Sequence, residues 1–143
     1  MIDTKEGEAM GYGNREVFLS SEEREELIRS FLGKTVTVTI DRPVGFHHVT
    51  KGIHLDYTIN YGFLPGVIGG DGEEQDVYVL GVSEPVAAFT GRIIGAVHRR
   101  DDNEDKLIAA PEGMILTALE MEKEIFFVEK YFDSSVFSIF DRE

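Results

Sequence analysis

Four carboxylates stand within the six residues DGEEQD: Asp71, Glu73, Glu74 and Asp76. Two like charges about 4 Å apart repel by roughly 1 kcal/mol in water, and by several times that in a less polar site. A fold that converges them needs a cation, a shifted pKa or full solvation. The plain reading is an acidic turn pointing into water. An EF-hand loop does not fit, because its obligatory Gly falls on Asp76 and its closing Glu on Val82. A second cluster, DDNEDK from Asp101 to Lys106, reads on its own as another solvated turn. The two together carry more weight. Each adjoins an apolar strand, and Asp41 closes the strand TVTVTI, so all three can meet at one rim. Such an oxygen-rich rim suits Mg²⁺, with Mn²⁺ as a substitute. Arg42, Lys51, Lys106, Tyr57 and Tyr61 offer groups for an anion. Carboxylates for a metal beside cations for a phosphate suggest metal-assisted phosphoryl hydrolysis.

Other polar residues have plainer readings beside the chemical ones. His47, His48 and His54 could ligate zinc or touch phosphate, but adjacent histidines on a strand face opposite ways. His98 reads as a rim or core residue of an apolar strand, and Arg99-Arg100 beside Asp101-Asp102 as a surface ion-pair cluster of little energetic consequence. Phe126, Phe127 and Phe132 read as packing.

The elements that position these residues fit one domain of 143 residues. Residues 1–14 read as a loose tail that Met10 and Tyr12 could anchor, and 15–143 as a single domain. Ser20 with Glu23 forms a capping box, followed by Leu27, Ile28, Phe31 and Leu32 on one helical face and Gly33 as C-cap. About five short strands follow, at 35–40, 57–63, 77–82, 89–99 and 106–111, with Pro65-Gly66 ending the second and a bend at Gly95. Thr117 with Glu120 caps a second helix, carrying Leu119, Lys123, Phe126 and Phe127 to about Phe132, and SSVFSIF is a short strand or docking tail. A helix, a run of strands and a helix make an α+β, mainly β fold: a small closed barrel with flanking N- and C-terminal helices.

Composition narrows the function. The net charge of -13, from 27 acidic and 14 basic residues, argues against a phosphate backbone or an anionic membrane as partner. There are no cysteines, which excludes disulfides, thiolate zinc sites, iron–sulfur clusters and a cysteine nucleophile. MIDTKEGEAM has no basic or apolar region of a secretory signal, and no apolar run approaches about 20 residues, so the expected location is the cytoplasm.

Five stretches, VTIDRP, YTINYGF, GDGEEQDVYV, GRIIGAV and DDNEDKLIAAP, resemble the soluble family I inorganic pyrophosphatases over roughly residues 35–111. The tyrosine pair and the intervals from Tyr61 to Asp71 and from Asp71 to Asp76 match without a gap. The resemblance implies a five-stranded OB-like barrel and Mg²⁺-dependent hydrolysis of pyrophosphate to two phosphates by a metal-activated water. It implies metal carboxylates at Asp71, Glu73 and Asp76, from a D-x-D-x-x-D signature, with Glu73 as base. It adds Asp101, then Asp105 or Glu104 before the phosphate lysine Lys106, and Asp41 two residues before Pro43. Tyr61 matches a phosphate-contacting tyrosine, and Lys130-Tyr131 a reversed Tyr-Lys pair. The family's members form homo-oligomers, which is the expectation here.

Three departures accompany the match. Glu73 replaces the usual Asp, and one methylene shifts a carboxylate by about 1 Å, a displacement that can cost ~100-fold in rate. Gln75 replaces an apolar residue. The short segment between Pro43 and Tyr57 lacks the family's Lys and Arg, and holds His47, His48, Lys51 and His54 instead. The chain is also shorter than typical members. The alternative is therefore a catalytically altered barrel that binds a phosphate metabolite, a nucleotide or a protein partner. An oligonucleotide-binding barrel shares the shape but not the charge.

Overall fold

The computed structural model describes residues 18–102 and 104–141, so the tail expected over 1–14 lies outside them. Helix α1 (Ser21–Phe31) opens on the expected capping box: Glu23 N donates to Ser20 Oγ at 3.1 Å, and Ser20 N to Glu23 Oε1 at 2.9 Å. The helix ends one residue earlier than expected. Leu32 is the cap and Gly33 follows at φ +84°, a left-handed conformation that favours glycine.

Eight strands follow in the order β1 (Thr35–Arg42), β2 (His47–Thr50), β3 (Ile53–Asp56), β4 (Asn60–Ile68), β5 (Glu74–Val79), β6 (Ala88–Arg99), β7 (Lys106–Ala110) and, after helix α2 (Ala118–Glu129), β8 (Ser134–Ser138). Five of them close the expected barrel in the order β1-β4-β5-β7-β6, with β6 returning to β1. All pairings are antiparallel except β5–β7. The twelve-residue β6 serves three partners in turn: its start pairs β1, its middle β7 and its end β8. The handover lies at Gly95, where the register shifts as expected and a Cβ would sit 2.4 Å from the Phe137 carbonyl oxygen.

The strand pattern departs from expectation in three places. β4 continues through Pro65-Gly66, because a bulge between Phe63 and Ile68 accepts a proline that has no N–H for the ladder. β5 starts at Glu74 and stops at Val79, so Asp76 is a ladder residue opposite Phe63 rather than part of a loop. Residues 47–56 form a separate hairpin, β2–β3, whose turn carries two left-handed residues, Lys51 at φ 51° and Gly52 at φ 78°. That is the geometry of a tight two-residue turn.

Alternation divides the core into two layers. Val38, Leu64, Val77, Ile93 and Leu107, one from each barrel strand, fill the interior, and Ile28 and Phe31 of α1 pack on it with the cap residue Leu32. Tyr61, Tyr78, Ile94 and Ile108 face outward against Met121, Ile125 and Val128 of α2. The Thr117–Glu120 capping box forms as expected, but α2 ends at Glu129 rather than near Phe132. Phe127 packs edge-on against Tyr57, whereas Phe126, expected in packing, is 61% exposed.

Candidate active site

Strand register brings the central groups together. Tyr61 on β4 lies opposite Tyr78 on β5, which lies beside Ile108 on β7. Side chains two residues apart on a strand share a face, so Asp76 and Lys106 stand next to Tyr61 at the starts of β5 and β7. The buried Lys106 ammonium sits at the centre. Its Nζ donates to Tyr61 Oη at 2.7 Å, Asp76 Oδ2 at 2.8 Å and Glu104 Oε1 at 2.7 Å, which uses all its protons. Burial alone would lower its pKa, but the fields of Asp76, Tyr78 and Glu104 outweigh that and hold the amine above its ordinary value. Burial, reinforced by Asp76, pushes the Tyr61 phenol well above its usual range, so it keeps its proton. The Arg42 guanidinium stacks 5.4 Å from the Tyr61 ring centre and donates to Tyr57 Oη at 2.7 Å. Two cations thus flank one tyrosine.

The carboxylates around this lysine repel one another. Asp71 is half-buried, and its pKa is raised by desolvation and then by the Glu104 and Asp76 charges, against the Glu73 N–H that bonds its Oδ1 at 3.0 Å. Desolvation pushes Glu104 up too, but Lys106, Arg99 and the Asp71 carboxyl hold it below its ordinary value. Asp41, at the end of β1, is raised by desolvation and by Asp76, with Arg42 opposing. Among the described residues no three His, Asp or Glu groups surround a ready metal position. The Lys106 ammonium stands between Asp76 and Glu104 instead. The donor set nevertheless suits a hard dication: Asp71, Asp76 and Glu104 supply more negative charge to one small cleft than one lysine neutralises.

The other expected site residues are placed differently. Glu73 is exposed, makes no side-chain hydrogen bond among the described residues and does not line the cleft. The Asp105 carboxylate is committed elsewhere: Arg24 of α1 grips it through Nε at 2.9 Å and Nη2 at 2.7 Å, and His98 Nδ1 lies 3.0 Å away. Glu104, two residues from Lys106 and so on its face, takes the place beside the lysine. Asp101 is drawn away to accept from Asp133 N at 3.1 Å. Lys51 sits at the β2–β3 tip, while Lys130 and Tyr131 stack on each other, exposed, past the end of α2. Among the described residues, none of these six side chains is hydrogen-bonded to Lys106, Tyr61 or Asp76.

Sequence reasoning missed a supporting network. Arg99, read as a surface residue, is 4% exposed. It donates to Glu129 of α2 at 2.7 and 3.1 Å and to Glu104 at 3.3 Å, and its guanidinium lies 3.6 Å over the Phe132 ring. Tyr78 Oη donates to the same Glu129 at 2.6 Å. Glu129 follows Met121 and Ile125 on the buried face of α2, and Arg24 precedes Ile28 and Phe31 on that of α1. A charge on an apolar helical face was the available signal. The unusual Gln75 is buried and donates to the Asp105 and Asp76 carbonyls at 2.7 and 3.0 Å, which ties the signature turn to β7. A larger cavity of about 540 Å³ lies away from the cleft, between α1 and the β6–β8 edge, and shares only Asp105 with it.

Comparisons with known proteins bear on the family and the fold. The family described as inorganic pyrophosphatase matches residues 33–130. Among curated relatives, the inorganic pyrophosphatase of Caulobacter vibrioides is 32% identical over 85 residues, which are 55% of this chain and 48% of the relative. That of Aquifex pyrophilus is 34% identical over 86 residues, again 55% and 48%. The chain therefore spans about half the length of the curated relatives it matches. Among solved structures, the inorganic pyrophosphatase of Ehrlichia chaffeensis superposes with a TM-score of 0.56 at 19% identity, covering 76% of this chain and 88% of that one. The Neisseria gonorrhoeae enzyme gives 0.52 at 18%, covering 75% and 84%. At these identities the structural likeness speaks for the fold.

Proposed function

The chain belongs to the inorganic pyrophosphatase family, and from that premise we propose that it hydrolyses inorganic pyrophosphate to two phosphates with a divalent metal, Mg²⁺ by preference and Mn²⁺ in its place. The observation that carries the reading is the buried Lys106 ammonium bonded to Tyr61, Asp76 and Glu104 inside a surplus of carboxylates. Asp71, Asp76 and Glu104 would hold the metal, with Asp41 at the rim. When bound, the metal supplies charge neutralisation of the diphosphate and a more acidic attacking water. The protein's own groups supply the rest. Lys106 and Arg42 face the negative oxygens of the leaving phosphate. Tyr61 retains its proton and donates it as a hydrogen bond as charge develops there. Asp71, which lines the cleft, is better placed than the exposed Glu73 to take the proton of the attacking water.

The domain would be the barrel spanning 15–143, working on pyrophosphate in the cytoplasm and on neither nucleic acid nor membranes. The net charge supports this. Among the described residues no helix is long and apolar enough to cross a membrane. Exposed Ile115, Leu119 and Phe126 would serve a homo-oligomer.

The test is phosphate release from pyrophosphate, with and without Mg²⁺, for the wild type and Asp76→Asn. The reading expects Mg²⁺-dependent release that the substitution abolishes. A second reading, an altered barrel that binds a phosphate metabolite, a nucleotide or a protein partner without cleavage, draws on the exposed Glu73 and on Lys106 standing among the metal carboxylates. A folded wild type that releases no phosphate with Mg²⁺ or Mn²⁺, yet is stabilised against heat by a phosphate ligand, would decide for it.

A further inference from the structure

A second group of metal-ligating side chains lies on the β2–β3 hairpin, outside the carboxylate cleft. The register pairs His47 with Asp56 and Val49 with His54. His47 and His54 are therefore diagonal neighbours on one face, with Asp56 beside them, while His48 and Leu55 face the other way. His47 Nδ1 lies 2.6 Å from Asp56 Oδ1. A carboxylate only accepts, so Nδ1 carries the proton, and neutral His47 turns the lone pair of Nε2 outward. That Nε2 faces His54 Nδ1 at 3.2 Å. Two nitrogens each about 2.0–2.1 Å from a tetrahedral zinc ion stand about 3.3–3.4 Å apart. The two imidazoles are thus already spaced for one ion.

We propose that His47 Nε2 and His54 Nδ1 form a two-histidine site for a borderline transition-metal dication such as Zn²⁺ or Co²⁺. Asp56 does not ligate the ion. It holds the His47 ring and its tautomer from behind, the usual relation of a carboxylate to a metal-bound histidine. His47 is 49% and Asp56 79% exposed at the side chain, so the ion has access from solvent and keeps positions for water. Imidazole selects zinc, cobalt, nickel or copper, whereas an all-oxygen cleft selects magnesium or manganese, so the two sites differ in metal class. The ion would clamp β2 to β3 directly before Tyr57, whose ring lies tilted 5.8 Å from that of Tyr61. The proposal does not rest on pyrophosphate hydrolysis.

The test is Zn²⁺ calorimetry and Co²⁺ absorbance on the full chain, without substrate and with excess Mg²⁺ occupying the carboxylates. The wild type and Asp76→Asn should each take up one equivalent. His54→Ala and His47→Ala should bind at least about 100-fold more weakly, and Asp56→Asn about 10- to 100-fold more weakly. Both histidines are exposed on a hairpin, and circular dichroism of the metal-free variants checks that they fold. Uptake by His54→Ala equal to that of the wild type would overturn the proposal. So would a wild type that takes up no Zn²⁺ or Co²⁺, in which case the two imidazoles are a hydrogen-bonded pair and nothing more.

Discussion

Five carboxylates fall into two groups with opposite electrostatics. Asp105 and Glu129 are each gripped by one guanidinium through two hydrogen bonds, from Arg24 and Arg99. Asp71, Asp76 and Glu104 instead crowd around the single ammonium of Lys106, with Arg99 reaching Glu104 from behind. The residue types are alike, and what differs is the ratio of partners to charges. A fully paired buried carboxylate is part of the scaffold. A cluster short of cations retains negative potential to spend on a metal or a transition state. The Arg24–Asp105 pair even separates two neighbours in the chain, since Asp105 belongs to the first group and Glu104 to the second.

This contrast makes predictions that differ in kind as well as size. Arg24→Ala should have the largest effect, on stability: it strands a buried carboxylate, at a cost of about 3–5 kcal/mol, read by urea denaturation. The folded remainder should keep its hydrolytic rate per native molecule. Lys106→Gln should do the reverse. Losing the central cation should lower phosphate release about 100- to 1000-fold, read by steady-state kinetics at saturating Mg²⁺. A stability loss with unchanged kinetics in Lys106→Gln would erase the distinction between the groups.

The next prediction separates two candidate bases. Asp71→Asn should reduce turnover about 100-fold or more, whereas Glu73→Gln should reduce it less than tenfold. Inactivation by Glu73→Gln alone would return the base to Glu73 and require its side chain to swing into the cleft. A thermal melt of the same Asp71 variant tests the electrostatics. A carboxyl whose folded pKa is raised costs stability once pH rises from its ordinary 3.8 through the raised value. Asp71→Asn should therefore melt higher than the wild type at neutral pH without metal, and the advantage should vanish in acid. Glu104, held low, has the opposite sign: its contribution is present above the ordinary carboxylate range and lost as pH falls through its lowered value. The smallest effect is local. Ser20→Ala removes one half of a capping box and should cost about 1 kcal/mol in chemical denaturation with no change in kinetics.

Local rules made much of this protein legible in its sequence. Both capping boxes, the alternating strand at 35–40, the short strand at 106–111 and the bend at Gly95 depend on neighbours a few residues away. The association of the acidic turns with Tyr61 and Lys106 was legible only through the family resemblance, since strand register joins residues 30 and 45 apart. The spacing of Glu104 and Lys106, two apart on an extended chain, already implied a shared face and could have favoured Glu104 over Asp105. Other features depended on partners distant in sequence. Pro65 remains within β4 because β5 tolerates a bulge beside it. Arg99 is buried because Glu129, thirty residues on, arrives on the inner face of α2. Asp101 leaves the cleft because Asp133 offers it an N–H. The sequence by itself determined the elements, their caps and the stock of carboxylates, since short-range hydrogen bonds and periodicity specify those. Only the tertiary structure decided which carboxylates are neutralised and which remain in surplus, because that depends on which guanidinium the fold delivers to each.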